Sequence, residues 1–137
     1  MKKSLAIGIT LLAVLSFSCG GAKYGDVKKV MNEMIGVMDS YSTSIAAAQN
    51  ADDVVKSMEA FGGAMIKMQP EMEKLNAKYP EMKGKKDEVP EELKETFKKL
   101  EASTQKMVEA SGPVMIKYMQ DPKVMEAAKK MSEAFSK

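Results

Sequence analysis

Apolar side chains recur along most of this chain at alternating spacings of four and three. Val27, Met31, Met34, Met38, Tyr41, Ile45 and Ala48 form a first stripe. Val54, Met58, Phe61, Met65, Met68, Met72, Leu75 and Tyr79 form a second, and Leu93, Phe97, Leu100, Thr104, Met107, Ser111, Val114 and Tyr118 a third. Val124, Ala128, Met131 and Phe135 make a shorter fourth. Residues so spaced share one side of an α-helix and leave charged residues on the other. The pattern predicts four amphipathic helices and no strand.

Breaks between the stripes agree. Asp26 can cap the first helix, which should run to Gln49 or so. Asn50-Ala51-Asp52-Asp53 is a turn with two candidate caps for the second. Gly62, Gly63 and Pro70 lie off that stripe and are expected to face water. A proline inside a helix costs about 3 kcal/mol, yet the stripe keeps its register across Pro70, which predicts one kinked helix. Pro80 ends it, and a charged loop follows to Val89. Pro90 suits the first position of helix three, and Glu91 and Glu92 suit its positive end. Ser111-Gly112-Pro113 should kink this helix, and Asp121-Pro122 restarts the chain. The expected fold is all-α: an antiparallel up-down four-helix bundle over residues 24–137, with a short fourth helix.

The short helix has a consequence. Helices one to three span roughly 25–29 residues, about 40 Å at 1.5 Å per residue. Helix four, from Pro122, is about half as long. The end nearer the N-terminus then has three helices around a four-helix seam. Val27, Met31, Met34, Met72, Leu75, Leu93 and Phe97 would be left uncovered, as an apolar notch suited to binding. The competing expectation is that loop 80–89 folds over these residues, or that the three helices close up.

Ahead of the stripes stands a different kind of segment. Lys2 and Lys3 precede an apolar run from Leu5 to Phe17. A spanning helix needs ~20 apolar residues, so this shorter run reads as a cleaved secretory signal. It ends at Ser16-Phe17-Ser18-Cys19-Gly20, which holds the only cysteine. The stretch resembles the lipobox of bacterial lipoproteins. Ser18 and Cys19 fit its last two positions, whereas Leu15 stands one place early. The resemblance implies a lipid on the Cys19 thiol, cleavage that removes residues 1–18, and a lipidated tether over 19–23. Its two or three acyl chains would anchor the protein firmly in the cell envelope, on the periplasmic face or in the outer membrane, where one myristoyl chain binds only marginally. The single thiol has no internal disulfide partner.

Composition narrows the function. The chain has 21 Lys/Arg and 19 Asp/Glu, and Lys2 and Lys3 leave with residues 1–18, so the mature protein carries 19 of each sign and is neutral. It has no Arg, which argues against a nucleic-acid partner. It has no His, the commonest general base and metal ligand. Glu33, Glu59, Glu73, Glu95 and Glu109 fall off the stripes, so no buried carboxylate pair suggests an enzyme.

Thirteen methionines follow the signal, against three leucines. Thioethers are soft Cu(I) ligands, but methionine is also an adaptable core filler, and the stripe positions assign it to the core. The helix layout also resembles the cytochrome b562 family of periplasmic bundles, through an early helix-one Met, the Asn50-Ala51 turn and the proline-bounded loop. That family binds haem through a helix-one Met, which Met31 or Met34 matches, and a helix-four His, which nothing matches. The resemblance implies the fold without the haem, and no cofactor or metal is expected. The reading is a lipid-anchored, non-enzymatic envelope protein that binds a protein, lipid or small apolar ligand. The alternative is a periplasmic Cu(I) or haem-related carrier.

Overall fold

The computed structural model describes residues 23–80 and 89–135. The signal segment, Cys19 and most of the charged loop lie outside them. Four helices result: α1 Gly25–Ala46, α2 Ala51–Lys78, α3 Glu91–Tyr118 and α4 Pro122–Phe135. No strand occurs among the described residues.

Each boundary has a local cause. Tyr24, not Asp26, stands at the start of α1, and its side chain makes no cap bond. Asp26 sits in the first turn, where its Oδ1 accepts from the Val27 N–H at 2.9 Å. The last turns of α1 carry Ser42 and Thr43, whose hydroxyls donate back to the Met38 and Asp39 carbonyls and offer the backbone a competing partner. The helix stops soon after, short of Gln49. Asn50 caps α2 by accepting from the Asp53 N–H at 2.9 Å, while Asp53 accepts from the Gln49 N–H at 3.1 Å. The Asp53 carboxylate thus reaches past the Asn50 cap to the residue before it and ties the turn to the start of α2. Asp121 accepts from the Lys123 N–H at 2.9 Å and sets up α4, with Pro122 at its first position.

Pro70 and Pro113 both lie inside continuous helices and are exposed. The hydrogen bond each removes is lost toward water, which can replace it, so neither ends its helix.

Helices α1 and α2 run antiparallel. Lys78 pairs with Asp26 at one end, and the Tyr41 and Phe61 rings stack 4.8 Å apart further along. By contrast α3 runs parallel to α1. Ser103 bonds Asp39 at 3.2 Å, and the Tyr118 hydroxyl donates to the Gln49 carbonyl at 2.7 Å, so partner numbers rise together. The α2 and α4 pair is parallel as well, with Lys123 on Asp52 at 2.7 Å and Gly62 facing Met131. Chain direction therefore alternates, and the helices that share a direction pack side by side. The order around the bundle is α3, α1, α2, α4, and α2 and α3 touch little.

Of the antiparallel neighbours expected, α1 and α2 are such a pair, whereas α1 with α3 and α2 with α4 pack parallel. Two further expectations change with this order. Thr104, placed on the third stripe, is exposed, and Thr96 and Ser103 are buried instead. The cause is that α3 turns toward α1, bringing small hydroxyl residues to that contact. Gly62, expected to face water, is buried because α4 lies over it, and a Cβ there would stand 3.4 Å from the Met131 Cγ.

The apolar interior divides in two. At the end far from the start of α1, Ile45, Val54, Met58, Val124 and Ala127 form a cluster, with Val114 and Tyr118 of α3 packed on it. All four helices contribute. At the near end Tyr24, Val27, Met31, Tyr79 and Leu93 form a second cluster, from three helices and the residues beside them. The fourth helix, at 14 residues, is half the length of α2 or α3 at 28 and does not contribute to it.

Candidate functional site

Where α4 is missing, a groove of about 230 Å³ opens between α1, α2 and α3. Helix α1 supplies Val27, Val30, Met31 and Met34. Helix α2 and its cap supply Met72, Leu75, Asn76 and Tyr79, and α3 supplies Phe97 and Leu100. The side chains point together because the three stripes converge on a seam that has lost one wall.

Six of the seven residues expected at the notch line this groove: Val27, Met31, Met34, Met72, Leu75 and Phe97. Leu93 does not. It is 0% exposed and sits in the cluster beneath, because the start of α3 turns it directly onto α1 and the α2 end. Val27 and Met31, expected to be uncovered, are buried in that same cluster at 5% and 7% exposure, because α3 packs onto α1 there. Met34, Met72, Leu75 and Phe97 are half-buried along the groove. Val30, Asn76, Tyr79 and Leu100 were not anticipated as lining. Tyr79 and Leu100 lie on the stripes and were legible as seam residues, whereas Val30 and Asn76 belong to neither stripe. The charged loop expected as the competing cover lies outside the described residues, except that Val89 packs on the lower cluster.

A polar latch closes the end nearest the N-terminus. The Tyr79 hydroxyl lies 2.8 Å from the Lys23 carbonyl and 2.9 Å from Asp26 Oδ1. Lys78 Nζ meets Asp26 Oδ2 at 2.6 Å. The Lys78 ammonium, then the Tyr79 hydroxyl and the Val27 N–H, hold the Asp26 carboxyl below its usual range. The Tyr24 and Tyr79 rings pack with centroids 5.2 Å apart. The latch ties α1 to the last turn of α2 and keeps its own polar atoms engaged.

A larger furrow of about 630 Å³ runs along the outer side of α1 and α2. Gly36, Ser40 and Ser44 on one helix and Ala60 and Ala64 on the other line much of it. Its volume reflects the small size of these side chains on a water-facing surface. The groove at the three-helix end is smaller, but its walls are long apolar side chains that a closed bundle would bury.

The groove lining offers chiefly apolar contact. Glu33, Glu59, Glu73, Glu95 and Glu109 are all exposed. Among the described residues no three His, Cys, Asp or Glu side chains gather as a metal site, and no helix is long and apolar enough to cross a membrane. No protein-family model matches the chain, and neither a curated protein nor a solved structure is found to match it.

Proposed function

We propose that this chain is a lipid-anchored, non-enzymatic protein of the bacterial cell envelope that holds an apolar ligand or partner at its three-helix end. Export and anchoring rest on the short apolar run, the lysines before it and the placement of Cys19. The observation that carries the binding role is the groove itself. Methionine and phenylalanine stay half-buried around one cleft, and adaptable side chains of this kind suit a binding surface.

The anchor is tested by Cys19→Ser in the full chain with a metabolic acyl label. The wild type should carry label and follow the membrane fraction, and the variant should carry none and leave it. Wild-type protein without label would remove the anchor.

One observation favours a second reading. Met31, Met34 and Met72 share the wall of a single groove, and three thioethers are a suitable donor set for Cu(I). A tight one-to-one Cu(I) complex lost in Met31→Leu would support a copper carrier. Weak uptake without defined stoichiometry would return these residues to apolar contact.

A further inference from the structure

We propose that the groove takes the single acyl tail of a membrane amphiphile, a fatty acid or lysophospholipid, with the head group left outside. The inference deepens the binding role and rests on the Cys19 anchor for its source of ligand.

The first ground is reach. Tyr24 packs on Tyr79, which forms the groove's end, and Cys19 lies five residues before Tyr24. A fully extended stretch of that length spans at most about 18 Å. An anchor at Cys19 therefore keeps the groove within that order of distance from the bilayer surface, where acyl tails are the most abundant apolar ligand.

The second ground is the wall. Its α1 and α3 sides are hydrocarbon and thioether only. The Tyr79 hydroxyl is engaged by Lys23 and Asp26, and Lys78 is paired with Asp26. The remaining polar side chain, Asn76, is exposed. Among the described residues nothing lining the groove is free to solvate a charge, so a head group gains by staying in water.

The third ground is size. An apolar cavity of about 150 Å³ accommodates benzene, and drug-sized ligands occupy roughly 300–1,000 Å³. The 230 Å³ here lies between these and is enough for a length of one acyl tail. Val27 to Met34 covers two helical turns, about 10 Å, which makes a channel more than a pit. Met31, Met34 and Met72 can shift rotamers to follow a chain of variable bend.

The test uses the full chain, produced in a bacterial envelope, and a fluorescent long-chain fatty acid below its micelle concentration. Saturable one-to-one binding is expected, displaced by unlabelled fatty acid or lysophospholipid and not by a two-tailed phospholipid. Met72→Lys and Met34→Lys, on different helices, should each weaken it by about tenfold or more with the melting midpoint retained. Phe61→Ser, on the outer furrow, should leave it within about twofold of the wild type. Absence of saturable binding, or wild-type affinity in either folded lysine variant, overturns the proposal. Equal displacement by a two-tailed phospholipid overturns it too. So does binding by Cys19→Ser where the lipidated protein binds nothing, since the anchor's own tail would then fill the groove. Acyl labelling of Cys19 is scored separately. Binding without label refutes the anchor and leaves the tail site standing, whereas label without binding refutes the tail site alone.

Discussion

The two ends of this bundle are built from the same residue types and come out differently. At the far end four helices meet, and Ile45 and Val54 are both 0% exposed. At the near end three helices meet; Leu93 is 0% exposed, and Val27, Met31 and Tyr79 are buried with it. Met34, Met72 and Phe97, on the same stripes, stay partly exposed. Periodicity sets which face of a helix is apolar. The number of helices present decides whether that face becomes core or cleft.

The sharpest way to break this contrast is to truncate matching methionines. Met58→Ala removes a side chain only 3% exposed from the four-helix cluster. It should cost about 2–5 kcal/mol in denaturant unfolding. Met34→Ala at the groove should cost less, about 1–2 kcal/mol, because that side chain is only partly covered. Equal losses would mean that the near end is packed as tightly as the far one.

A smaller effect tests the latch that closes the near end. The folded-state pKa of Asp26 is lowered, chiefly by Lys78. A depressed carboxylate contributes stability that is fully present above its unfolded value, 3.8, and is lost as pH falls through the lower folded value. Asp26→Asn should therefore be less stable than the wild type at neutral pH, with the difference closing below about pH 4. Asp26 and Lys78 are substantially exposed, so the effect should be modest and fade with added salt. A difference that persists unchanged into acid would mean that the carboxylate charge is not what holds the latch.

Much of this was legible before any coordinates. The four stripes located all four helices, including passage through Pro70 and Pro113, because a heptad register that survives a proline outweighs the local cost. The shortness of α4 exposed six groove residues in advance. What the pattern could not convey was which helices become neighbours. A stripe reports burial and not the identity of the covering element, so Gly62 beneath Met131 and the inward turn of Thr96 and Ser103 were out of view. Leu93 was assigned to the groove for the same reason, since a seam position one turn lower is floor and not wall.

The central claim is that the three-helix end is an open apolar groove rather than a core. The most direct measurement is a titration of wild type and Phe97→Ser with an apolar fluorescent probe, with unfolding followed on the same samples. Phe97 packs against the lower cluster from the groove wall. The account predicts saturable binding by the wild type and affinity about tenfold weaker in Phe97→Ser. The variant should lose no more than about 2 kcal/mol of stability. A wild type that never takes up the probe, with a loss of ~3–5 kcal/mol in the variant, would be the behaviour of a filled core and would contradict it.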